Sequence, residues 1–109
     1  MTEQQIDQAG ISSLVNLDPT IHAPARLTVL TYLYVVESVD FVFLKNLTGL
    51  TWGNLSTHLA KLEAAGFVAI NKEFKGKKPH STISLTKQGR TAFREYKKSL
   101  QQVLNDLPD

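Results

Sequence analysis

The chain of 109 residues contains no cysteine. That absence removes disulfide staples, thiolate zinc sites, thiol nucleophiles and redox switches together. It suits a reducing compartment, so a cytoplasmic protein is expected. Long apolar runs are also missing: no stretch approaches the roughly 20 residues a helix needs to cross a bilayer. Met1 to Gly10 lacks the basic-then-apolar layout of a signal peptide, and no membrane partner is expected. Histidine is scarce. His22, His58 and His80 lie in three separate stretches, with no ligand at metal-binding spacing beside them, so neither a metal nor a cofactor is expected. No Ser-His-Asp set, glycine-rich phosphate loop or carboxylate pair can be assembled from the remaining residues, which argues against an enzyme.

What is present fits one small domain. With 42% hydrophobic and 20% charged residues, the chain can build a modest core. A domain of this size gains from a partner subunit that covers further apolar area. The net charge of +2 conceals an asymmetry about Gly66. Residues 1–65 carry three cations, Arg26, Lys45 and Lys61, against six carboxylates, a balance of −3; residues 66–109 carry nine against four, a balance of +5. A basic C-terminal half fits either polyanion binding or an ordinary solvated surface.

Residues 1–16 mix polar residues with Ile6, Ile11, Leu14 and Val15 and read as an arm or a short helix. Asp18-Pro19-Thr20 is a helix start signal. Beyond it Leu27, Leu30, Leu33 and Tyr34 recur at helical spacing, giving a helix to about Glu37 that begins on either side of Pro24. Phe41-Val42-Phe43 reads as a brief edge strand. Leu44 to Thr48 reads as a short helix closed by Gly49. Thr51 is a good N-cap for a longer helix with a stripe of Leu55, Leu59 and Leu62, stopped at Gly66. Phe67 to Phe74 and His80 to Leu85 form a hairpin whose tip is Lys75-Gly76-Lys77-Lys78-Pro79. Thr86 then caps a last helix to about Asp106, with apolar Phe93, Tyr96, Leu100, Val103, Leu104 and Leu107.

This order, helix, short helix, tight turn, longer helix and basic hairpin, is that of a helix-turn-helix with a wing. The expected fold is mostly α with a small β-hairpin: a three-helix core, a wing and a long C-terminal helix. The expected divisions are an arm over 1–16, a DNA-binding unit over 17–85 and a dimerisation helix over 86–109. If the leucine stripe holds one side of the longer helix on the core, Asn54, Ser56, Thr57 and Lys61 face outward. Small and amide-bearing side chains there would let the helix enter a major groove and reach base edges.

The segment Leu47-Thr48-Gly49-Leu50-Thr51-Trp52-Gly53-Asn54-Leu55-Ser56-Thr57-His58-Leu59, followed by Leu62-Glu63-Ala64-Ala65-Gly66-Phe67-Val68, resembles the winged helix-turn-helix transcriptional regulators. It is most similar to the small single-domain group related to the MarR and ArsR families. Leu17-Asp18-Pro19-Thr20-Ile21-His22-Ala23-Pro24-Ala25-Arg26-Leu27 resembles that group's opening helix, and Leu85-Thr86-Lys87-Gln88-Gly89-Arg90 the entry to its last helix. The resemblance implies a homodimer that regulates transcription by binding double-stranded DNA. It would place Thr51, Trp52, Asn54, Ser56, Thr57 and Lys61 on the recognition helix, and Lys75, Lys77 and Lys78 on the wing. Two departures stand out. Trp52 occupies a position where relatives more often carry a small polar residue, and the thiolate ligands of ArsR-type metal sensors are absent.

Several residues have two readings. Trp52 can pack on the preceding short helix or stack against DNA sugar and phosphate. The wing lysines can contact phosphate or simply keep a sheet edge soluble. Arg26 can form an ion pair or fix register on the DNA backbone. Arg90, Arg94, Lys97 and Lys98 read as a solvated face. Tyr32 and Tyr34 read as core, with an effector pocket as the other use; a small-molecule effector is possible without direct support. Phe93, Tyr96, Leu100, Val103, Leu104 and Leu107 extend beyond what a three-helix core covers and are assigned to a two-fold interface. That geometry would set two recognition helices roughly 34 Å apart on a palindromic operator. The competing function is a winged helix turned into a protein-interaction module without DNA binding.

Overall fold

A computed structural model describes residues 11–109, so the first ten residues of the expected arm lie outside the described part. A 3-10 turn over Ser13–Asn16 leads to a loop in which Leu17 and Ile21 are buried. The Asp18 carboxylate holds that loop by accepting the Thr20 N–H at 2.8 Å. Helix α1 (Pro24–Val35) starts with proline in its first turn, where a missing N–H costs no helical bond, and buries Val29, Leu30 and Leu33. It ends two residues before the expected Glu37 because Val36 is already extended, at φ −111° and ψ 144°.

Strand β1 (Ser38–Asp40) precedes helix α2 (Phe41–Thr48), which corrects the strand expected over Phe41-Val42-Phe43. The Asp40 carboxylate accepts the Phe43 N–H at 2.7 Å and starts the helix there, so the aromatic run becomes its first turn. Gly49, at φ 69°, ends α2 in the left-handed conformation that glycine adopts without a Cβ clash. Helix α3 (Trp52–Ala64) is capped by Thr51, whose hydroxyl oxygen accepts the Asn54 N–H at 3.1 Å. Its Leu55, Leu59 and Leu62 are all buried.

Strands β2 (Val68–Lys75) and β3 (Lys78–Leu85) form an antiparallel hairpin with Lys75 opposite Lys78, and β1 adds to the far side of β3 through Ser38–Ser84, Val39–Ile83 and Asp40–Thr82. The hairpin is tighter than the expected five-residue tip. Only Gly76 and Lys77 form the loop, with Gly76 at φ 66°, while Pro79 pairs with Phe74 inside the ladder. Proline is tolerated there because β1 reaches only Thr82 to Ser84, leaving that side of β3 without a strand to receive an N–H.

Helix α4 (Lys87–Asn105) opens on Thr86, whose hydroxyl oxygen accepts the Gly89 N–H at 2.9 Å and donates to the Gly66 carbonyl at 2.6 Å. One side chain thereby joins the end of α3 to the start of α4. The core gathers Ile21, Leu30, Leu33, Leu44, Leu55, Leu59, Leu62 and Ile83, each fully buried or within 1% of it. The radius of gyration is 17.0 Å, against about 13 Å for a compact chain of this length. The described part of the molecule is elongated.

Candidate nucleic-acid interface

The buried leucines fix which side of α3 is free. Trp52, Gly53, Asn54, Ser56, Thr57, Ala60 and Lys61 are exposed, as is the capping Thr51. The Thr57 hydroxyl donates to the Gly53 carbonyl at 3.0 Å, leaving its oxygen lone pairs and its methyl group to face outward. The Thr51 oxygen is engaged by the Asn54 N–H, so it orients the first turn.

Trp52 packs on the preceding helix. Its ring stacks on Phe41 with centroids 5.4 Å apart and planes 10° from parallel, and Lys45 Nζ lies 5.0 Å from its centroid. The indole nevertheless stays 53% exposed. It forms part of a groove of about 330 Å³ with Asp40, Phe41, Val42, Pro79, His80 and Ser81. The start of α3 and strand β3 of the wing therefore border one depression, and Lys45, not singled out from the sequence, supplies a cation beside it. Lys75, Lys77 and Lys78 are exposed in the outer hairpin.

Arg26, expected on a DNA phosphate, has its donors engaged inside the chain. Nε donates to the Thr20 carbonyl at 2.6 Å, Nη2 to the Pro19 carbonyl at 3.2 Å, and Nη1 lies 3.0 Å from His58 Nδ1. These contacts engage three of the guanidinium's five N–H donors. The half-buried His58 on α3 was missed from the sequence because its partner is 32 residues away. Burial holds its imidazole below the usual histidine range, and the charges of Arg26 and Lys61 lower it further.

The residues assigned to a dimer interface divide. Phe93 and Tyr96 belong to the chain's own core, Phe93 meeting Tyr34 edge-on at 5.2 Å and Tyr96 bonding through its hydroxyl to His22 Nδ1 at 2.7 Å. They are unavailable to a second subunit, because the loop before α1 and the end of α1 already cover them. Leu100 is partly buried against the core, and Val103 is buried as well. Leu104 and Leu107 remain 56% and 48% exposed.

Arg90, Arg94 and Lys97 do more than face solvent. They gather on Tyr34: Arg90 Cζ lies 4.7 Å and Lys97 Nζ 5.4 Å from the ring centroid, and Arg90 also donates to the Tyr34 carbonyl at 3.4 Å. A hydrogen bond from Arg94, together with the three nearby cations, lowers the Tyr34 hydroxyl from its ordinary value despite an opposing effect of burial. Tyr32 lies elsewhere, in an apolar groove of about 580 Å³ shared with Leu27, Thr31 and Leu47. Among the described residues, no group of three His, Cys, Asp or Glu could hold a metal ion, and no helix is long and apolar enough to cross a membrane.

This arrangement, a capped helix with one free side next to a basic hairpin, is a winged helix. The chain belongs to the winged helix DNA-binding domain family, whose model matches residues 25–104. It is 37% identical over 82 residues to the uncharacterized protein MJ0432 of Methanocaldococcus jannaschii, covering 75% of this chain and 89% of that one. Its fold is similar to that of a transcriptional regulator homologue from Pyrococcus horikoshii, with a TM-score of 0.81, 22% identity, and 90% and 96% of the two chains covered. A MarR-family transcriptional regulator from Silicibacter pomeroyi gives a TM-score of 0.59 at 19% identity, covering 90% of this chain and 62% of that one. The family's model describes a DNA-binding domain, and these solved structures share its fold.

Proposed function

We propose that the chain is a transcriptional regulator that binds an operator sequence-specifically as a homodimer. The observation that carries this reading is the division of α3: every leucine of its stripe is buried, and the opposite side is open next to the wing. Asn54 and Thr57 would read base edges in the major groove, with Ser56 and Lys61 beside them. Thr51 would order the first turn, and Trp52 would lie against sugar and phosphate at the rim of the groove. Lys75, Lys77 and Lys78, joined by Lys45, would hold the backbone.

Dimerisation is supported by exposed apolar side chains at one end of the molecule. Leu104 and Leu107 follow the end of the core, and Leu14 and Val15, 40% and 85% exposed, lie in the 3-10 turn that packs on α4. A two-fold pairing there would set two copies of α3 about one turn of DNA apart and call for a palindromic site.

Selecting bound fragments from random DNA tests the whole reading. The expected result is enrichment of one inverted repeat, followed by a salt-dependent mobility shift on that duplex. Recovery of unenriched input DNA, with no shift at low salt, would favour a protein-interaction module instead.

A further inference from the structure

The contact between Arg26 and His58 has a chemical consequence for the surface of α3. A guanidinium carries donors and no acceptor. The 3.0 Å contact from its Nη1 therefore requires a lone pair on His58 Nδ1. A neutral imidazole has a single N–H, so with Nδ1 accepting, the proton lies on Nε2. Arg26 cannot readily swing away, because the Thr20 and Pro19 carbonyls hold the same guanidinium. Among the described residues no partner engages His58 Nε2, and no buried side-chain nitrogen or oxygen lacks one. Nε2–H is therefore open to solvent, on the helix that presents Asn54 and Thr57.

We propose that His58 is a DNA-recognition residue offering a neutral Nε2–H donor to a hydrogen-bond acceptor of the duplex, and that Arg26 is the positioning residue that fixes this tautomer. The proposal rests on the DNA-binding reading given above. The matching chemistry is an acceptor without a proton of its own: N7 or O6 of guanine, N7 of adenine, O4 of thymine, or a phosphate oxygen. Base and backbone share this chemistry and differ in sequence dependence. A base contact makes the loss on removing His58 specific to one operator position, whereas a phosphate contact makes it equal on all duplexes.

The test uses the full chain and the duplex selected from random DNA, with affinity read by fluorescence anisotropy and the His58 tautomer by nitrogen-15 NMR of the imidazole at pH 7.5. His58→Ala should weaken binding about tenfold. His58→Gln, whose amide N–H can occupy the Nε2 position, should recover most of that loss. Arg26→Met should mix the two tautomers and weaken binding several-fold, and adding it to His58→Ala should cost nothing more, since both act through one donor. If Arg26→Met fails to fold, the two His58 variants and the wild-type spectrum carry the test. An imidazole protonated on Nδ1, or His58→Ala binding as tightly as the wild type, would overturn the proposal and leave the DNA-binding reading intact. A wild-type chain that binds no selected duplex would overturn both.

Discussion

Gly89 lies against the carbonyl of Phe67, so close that a Cβ placed on Gly89 would overlap the oxygen and come within 2.8 Å of the carbonyl carbon. That carbonyl already accepts the Thr86 N–H at 3.0 Å, so it cannot turn aside without breaking the link between β2 and α4. Helix propensity alone would favour alanine over glycine by up to about 1 kcal/mol. Here packing opposes it, and the obstacle is backbone, not a flexible side-chain end. Gly89→Ala should therefore destabilise the fold by about 1–3 kcal/mol, read as a lower urea midpoint. An unchanged or higher midpoint would show that the two backbones can part freely.

The outer hairpin gives a prediction that does not depend on knowing the operator. Lys77 and Lys78 are exposed and lie at or beside the two-residue turn. Each phosphate contact contributes about 0.9 to the slope of log K against log salt concentration. Replacing both with glutamine should flatten that slope by about two units and weaken cognate and random DNA alike. A slope that does not change would remove the wing from the contact surface.

On α3 the expected loss is selective. The Thr57 hydroxyl hydrogen is engaged by the Gly53 carbonyl, so the side chain can offer only lone pairs and a methyl group. Thr57→Ala should cost on the order of 1–3 kcal/mol on the selected operator and little on random DNA. Anisotropy titrations against both duplexes check this, and equal losses would mean that Thr57 does not read sequence.

Much of this arrangement was legible in the sequence because it depends on short-range signals. The spacing of Leu55, Leu59 and Leu62 set the buried side of α3, Thr51 set its start, and the Gly49 and Thr86 signals set its neighbours' ends. Phe41-Val42-Phe43 misled because its strand propensity is real but weak, and one hydrogen bond from the Phe43 N–H to the Asp40 carboxylate outweighs it. The Arg26–His58 pair carried no local signal at a separation of 32 residues. On α4 the periodicity marks one apolar face but not where the chain's own core stops covering it. Phe93 and Tyr96 fall inside that boundary and Leu104 and Leu107 outside it.

That boundary separates two kinds of mutation on one helix. Phe93→Ala empties a site that is 7% exposed and touches Tyr34, so it should lower stability by about 3–5 kcal/mol. Leu104→Glu combined with Leu107→Glu changes only exposed positions. It should leave secondary structure intact and, on the homodimer reading, convert dimer to monomer in sedimentation equilibrium and weaken operator binding. Retention of the wild-type mass by the double variant would move the interface elsewhere.

The His58 environment also sets a pH dependence of stability. Burial, Arg26 and Lys61 all disfavour the imidazolium, so the folded chain takes up this proton at lower pH than an unfolded histidine, which titrates near 6.5. Below about pH 6.5 the unfolded state then binds more protons than the folded state, and stability falls as pH drops. The contribution is fully present above the unfolded value and is lost as pH passes down through the folded one. Urea midpoints at pH 7.5 and 5.5 should therefore differ more for the wild type than for His58→Gln, which keeps His22 and His80 but removes this proton site. Equal differences in the two proteins would mean that burial and the neighbouring charges do not hold the ring neutral.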